Sequence, residues 1–194
     1  MMLSEFWQAV VSSAVISTIT SNLFLWWHKK NDYKRDYYKK IIDKRLNAYE
    51  KLKVFIGELE IVREILSDKF GEKPGQGTLI HDCFFEKENL NTAIEECIIV
   101  LKESQWFSKM ITQELLKINN ILANCYTVIY HPTEESLKDY NLNMENIQIE
   151  KWFFQVAIVV RPQLENSINK VIEKMNKDIL NLDEVETFFE NRTE

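Results

Sequence analysis

The sequence predicts an all-α protein: an N-terminal transmembrane helix followed by a cytoplasmic bundle of long amphipathic helices. Three observations carry that expectation. Residues 6–27 contain no Asp, Glu, Lys or Arg. Beyond them, apolar residues recur at three- and four-residue spacing, the period of a helix that buries one face. The 194 residues include only 4 Gly and 3 Pro, too few turn formers for a sandwich or barrel of many short strands. With 45% hydrophobic and 12% aromatic residues, the chain is also too apolar to stay disordered.

The first element rests on the uncharged run. Its 22 residues match the roughly 20 that a bilayer-spanning helix needs. Trp7 stands near one end and Trp26 and Trp27 at the other, the interfacial positions that amphipathic rings favour. Lys29 and Lys30 stop the run. A cleaved signal peptide carries its positive charge ahead of the apolar stretch and a small-residue site behind it; here the order is reversed and no such site is present. The expectation is therefore a retained anchor over residues 1–28.

Charge gives the orientation. Residues 29–53 hold ten Lys or Arg against four Asp or Glu, while residues 54–194 hold fourteen against twenty-five, within a net charge of −6. A basic block beside a span marks the cytoplasmic side. The expected placement is a single-pass membrane protein with the N-terminus outside and the body in the cytoplasm. Cytoplasmic placement agrees with three unpaired cysteines. The span is unusually polar, with Gln8, Ser12, Ser13, Ser17, Thr18, Thr20, Ser21 and Asn22. Small and polar residues suit helix–helix seams or a water-lined channel, so Ser13, Ser17, Thr20, Ser21 and Asn22 are candidates for a pore or an oligomer seam. Trp7, Trp26, Trp27, Lys29 and Lys30 are the membrane-interface candidates.

The body, residues 29–180, opens on a heptad seam of Ile41, Ala48, Leu52, Phe55, Leu59, Val62 and Leu66, interrupted by Arg45. No breaker separates it from the anchor, so one continuous helix is expected. Residues 71–78 hold three of the four glycines and read as a loop. A second helix is expected over 86–103, with Leu90, Ile94, Cys97, Ile98 and Leu101 inward, and Ser104 as the cap of the next helix. That third helix covers 108–130, with Ile111, Leu115, Ile118, Leu122, Cys125 and Ile129 inward, closed by His131-Pro132. One helical turn is expected at 133–135. A fourth helix spans 144–179, with Trp152, Val156, Val159, Ile168, Val171 and Met175 inward and a kink at Pro162. Residues 181–194 read as an acidic tail.

Signals of chemistry are sparse. The phosphate-binding glycine patterns, C-x-x-C and H-E-x-x-H do not occur, so no metal and no cofactor are expected. Cys83, Cys97 and Cys125 read as small buried hydrophobes. The adjacent pairs Glu95-Glu96 and Glu134-Glu135 do not share a helix face. The basic block is better explained by anionic lipid than by nucleic acid, and no direct DNA binding is expected. One stretch stands apart: Arg161-Pro162-Gln163-Leu164-Glu165-Asn166 lies inside an apolar helix, where the proline frees backbone groups and lets Arg161 project.

A small helical chain with one N-terminal span and a late Arg-x-x-x-x-Asn, here Arg161 and Asn166, resembles the membrane accessory proteins of type VI-B CRISPR–Cas systems. These are similar to HEPN domains, helical bundles whose RNase members carry Arg-x(4–6)-His in the last long helix. The resemblance implies a HEPN-like bundle and a homo-oligomeric ring in the bacterial inner membrane, with an octamer as a working guess. It implies a pore that depolarises the membrane and enhances interference by an RNA-guided RNase effector during anti-phage defence. The histidine of the motif is replaced by Asn166, whose amide does not titrate, which argues against RNase chemistry. Arg161 and Asn166 would then serve assembly or gating. Two alternatives stay open, a membrane-tethered HEPN-type RNase or toxin and a non-catalytic coiled-coil scaffold.

Overall fold

A computed structural model describes residues 2–66, 77–133, 149–182, 184 and 185, with the side chains of 2–20, 66 and 149–152 outside the description. Helix α1 runs over Met2–Leu59, strand β1 over Val62–Leu66, strand β2 over Gly77–His81, α2 over Lys87–Lys102, α3 over Lys109–Tyr130 and α4 over Ile149–Leu180. Short 3-10 turns at Asp82–Phe84 and Ser104–Trp106 lead into α2 and α3. The chain divides into two compact units, Met1–Asp43 and Lys44–Glu194. The division falls inside α1.

The mostly helical expectation holds, but the spanning helix does not. Among the described residues, no helix is long and apolar enough to cross a membrane. This overturns the transmembrane anchor over 1–28, and with it the single-pass inner-membrane placement. The physical reason is that absence of charge is not the same as apolarity. Gln8, Asn22 and six hydroxyl residues are spread through 6–27, and each polar group costs free energy when it leaves water without a new partner. The same helix then continues into the basic block without a break.

The heptad seam also ends early. Ile41, Ala48, Leu52, Phe55 and Leu59 are buried, but α1 stops at Leu59. Val62 and Leu66 belong to β1, which pairs antiparallel with β2 in the register Val62↔His81, Glu64↔Leu79 and Leu66↔Gly77. The β-branched residues Val62, Ile65, Thr78 and Ile80 favour a pleated strand, and only the distant partner strand reveals the pairing. Gly77 and Thr78, expected in a loop, are ladder residues; residues 67–76 lie outside the description.

In the unit Lys44–Glu194, the last turns of α1 join α2, α3 and α4 around one core. Helix α3 is its axis: Ile111, Leu115, Ile118, Leu122 and Cys125 are all fully buried, and Ile129 nearly so. The face of α2 is rotated from expectation. Ala93 and Val100 are buried beside Leu90 and Cys97, whereas Ile98 is 44% exposed. Ser108, not Ser104, stands at the N-cap position of α3. Helix α4 continues through Pro162, whose missing N–H leaves the Ile158 carbonyl without its helical donor. Val156, Ile168, Val171 and Met175 are buried, while Trp152 and the expected turn after Thr133 lie outside the description. Leu182 and Val185, expected in the acidic tail, are buried.

Arg45, which interrupts the seam, is itself buried. It donates from Nη1 to the Leu182 carbonyl at 3.3 Å. Tyr49, one turn on, donates its hydroxyl to Asp178 Oδ2 at 2.7 Å and packs edge-on against Phe107. The seam arginine therefore reaches the segment just beyond α4 and Tyr49 reaches the last turns of α4, which together tie α1 to the C-terminal end of that helix.

Candidate functional site

Arg161 projects from the middle of α4, one turn before Glu165 on the same face. Its Nε donates to Glu165 Oε1 at 2.7 Å, and its Nη1 donates to the Leu79 carbonyl of β2 at 2.7 Å. The guanidinium thus spends two donors on tying α4 to the hairpin. Asn166 does not join it. The residue is exposed, and five positions along a helix place it well off the Arg161 face. The Arg161–Asn166 motif is accordingly not a single constellation in this fold.

A histidine does approach Arg161, from another element. His81 ends β2 and is only 3% exposed. Its Nδ1 lies 2.6 Å from the Leu59 carbonyl. A carbonyl only accepts, so Nδ1 carries the hydrogen and Nε2 holds the lone pair of the neutral ring. Nε2 is buried without a hydrogen-bond partner, 3.9 Å from Glu165 Oε1. Burial pulls the imidazole below its ordinary value, and the nearby Arg161 charge pulls the same way. The Leu59 carbonyl, Glu165 and Glu60 oppose them. An arginine, a carboxylate and a neutral imidazole could in principle serve general acid–base chemistry. Here the ring is enclosed and the arginine is occupied, so the cluster reads as a junction between α1, β2 and α4. The Arg161–Glu165 pair is legible in the sequence as an i,i+4 pair; His81, eighty positions upstream of Arg161, is not.

A second group of polar side chains surrounds a cavity of about 290 Å³ lined by Glu58, Leu59, Ile61, Asp82, Cys83, Asn89, Thr92, Ala93 and Glu96. Glu58 at the end of α1 and Glu96 of α2 share a hydrogen bond that requires one proton. Burial, that bond and the Glu58 charge push the Glu96 carboxyl up to about 7. Asp82 pairs with Arg63 and accepts from Asn89 Nδ2 at 3.3 Å. Among the described residues, no group of three or more His, Cys, Asp or Glu could hold a metal ion. Cys83, Cys97 and Cys125 are free and buried, and burial pushes Cys97 and Cys125 up to about 12. They are not primed as nucleophiles.

In the unit Met1–Asp43, the side chains of Trp7, Ser13, Ser17 and Thr20 lie outside the description. Ser21, Asn22, Lys29 and Lys30 are exposed. So is every apolar side chain between them: Leu23, Phe24, Leu25, Trp26 and Trp27 are 53–61% exposed. Five successive positions at 3.6 per turn sweep the whole circumference of the helix, so this is an apolar collar and not a stripe. Lys30 Nζ sits 5.2 Å above the Trp26 ring, and Phe24 meets His28 edge-on. No family model, characterised protein or solved structure matches the chain.

Proposed function

We propose that this protein is a non-catalytic helical scaffold that self-associates through the N-terminal half of α1. The observation that carries the reading is the collar at residues 23–27. Soluble monomers rarely leave contiguous large apolar side chains open to water, and here the opening runs around the whole helix. One partner face covers one side only, so several copies surrounding a common axis fit better than a dimer. Asn22 beside the collar is the type of polar residue that sets register at helix seams. The enclosed His81 and the occupied Arg161 favour the non-catalytic reading over the RNase alternative. An extension to an accessory role beside an RNA-guided RNase in anti-phage defence rests on the sequence resemblance alone, since Arg161 and Asn166 occupy different faces of α4. That extension omits the pore and the depolarisation, which required a spanning helix.

The test is proximity between copies. A Leu25→Cys variant should form interchain disulfides on mild oxidation, since the native cysteines are buried and do not compete. A Val54→Cys control, 63% exposed in the other unit, should form no interchain disulfide. Equal cross-linking of both, or of neither, would remove the basis of the proposal.

A further inference from the structure

We infer that residues 29–40 of α1 form a binding surface for single-stranded nucleic acid, built from two tyrosine side chains flanked by lysines. At 3.6 residues per turn, Lys29, Lys30, Tyr33, Tyr37 and Lys40 fall within an arc of about 100°. All five are exposed, Tyr33 by 73% and Tyr37 by 51%. The carboxylates of this segment, Asp32 and Asp36, fall outside the arc. The stripe is therefore locally cationic although the whole chain carries −6. The two tyrosines stand about 6 Å apart along the axis at 1.5 Å per residue, between one and two base steps of about 3.4 Å.

Cationic side chains that track a phosphate backbone, interleaved with aromatic rings on which bases stack, are the two components of sequence-tolerant single-strand binding. The arrangement does not fit an anionic lipid surface. A helix lying on a bilayer puts its aromatic and aliphatic side chains on one face and its lysines on the other. Here the rings and the lysines share a face, and the opposite side of this segment carries Asn31, Arg35, Tyr38 and Lys39, so rings and cations are not segregated to separate faces. Duplex binding through phosphates alone would use the lysines and leave the exposed tyrosines without a role.

The experiment uses the full-length chain and a labelled 20-nucleotide oligouridylate, followed by fluorescence anisotropy over a salt series. The same-length duplex and vesicles of phosphatidylserine and phosphatidylcholine serve as competitors. Stacking is worth about 1–3 kcal/mol per base, so Tyr33→Ala with Tyr37→Ala should weaken single-strand binding at least about 25-fold. The Tyr33→Phe/Tyr37→Phe pair should keep it. Lys30→Gln with Lys40→Gln should reduce the slope of log affinity against log salt by about 1.4, two phosphates at about 0.7 each. Binding that is unchanged in the alanine pair, that is equal for the duplex, or that occurs on vesicles but not on the oligonucleotide would overturn the inference. Absence of any binding would do the same.

Discussion

His81 and Glu96 should give the protein two opposing pH dependences. His81 is buried as the neutral ring, with its folded-state value below the usual 6.5. Between that value and 6.5 the unfolded chain binds the proton and the folded chain does not. Stability is therefore full above pH 6.5 and is lost as pH falls through the folded value. Glu96 behaves in the opposite sense. Its carboxyl rises from 4.5 to about 7, so the folded chain holds an extra proton in that window. This stabilisation is full below pH 4.5 and is lost as pH rises through about 7. One proton corresponds to a slope of at most about 1.4 kcal/mol per pH unit. Screening at exposed Glu58 keeps the Glu96 slope below that ceiling. Where the windows overlap, the two slopes oppose each other, and single variants should separate the components. His81→Gln should become more stable as pH falls from 7 to 5; Glu96→Gln should become less stable over the same range. The assay is urea unfolding at constant ionic strength in half-unit pH steps. If His81→Gln follows the wild-type curve at every pH, the ring is not held neutral at the α1–β2–α4 junction and the reasoning fails.

The packing implies three further outcomes. Tyr49→Phe removes the 2.7 Å bond to Asp178 and should cost about 1.5–3 kcal/mol, the range for a bond to a charged partner, in the same urea assay. Arg161→Ala and Asn166→Ala should leave labelled-RNA hydrolysis at the background seen without protein. RNA cleavage by the wild type that disappears in Arg161→Ala would restore the enzyme reading. The three buried thiols should react slowly with a disulfide reagent in native buffer and promptly in urea, with all three appearing in one unfolding transition.

The helical period makes α2, α3 and most of α4 legible, because each buries a continuous face against the others. The inward residues of α3 are the clearest case: Ile111, Leu115, Ile118, Leu122 and Cys125 need no context beyond their spacing. Where tertiary partners decide, the pattern misleads. Val62 and Leu66 continue a helical period on paper, yet pair with His81 and Gly77 in a hairpin. Ile98 fits the α2 stripe but is 44% exposed, whereas Ala93 and Val100 are buried. The N-terminal run lacks charge but not hydroxyls, so charge alone overstates its apolarity. In the candidate site, Arg161 and Glu165 are visible as neighbours on one helix. His81 enters through a strand that local periodicity does not reveal, and Glu58 reaches Glu96 only through the packing of α1 on α2.

The scaffold account is tested most directly by native mass spectrometry of the full-length chain beside a Leu23→Ser, Leu25→Ser, Trp27→Ser variant. The account predicts one discrete wild-type species at an integer multiple, above two, of the 23.1 kDa protomer. The variant should fall to the protomer while keeping the wild-type helical circular dichroism signal. A wild type that stays at 23.1 kDa across the micromolar range, or a variant that assembles like it, would contradict the central claim.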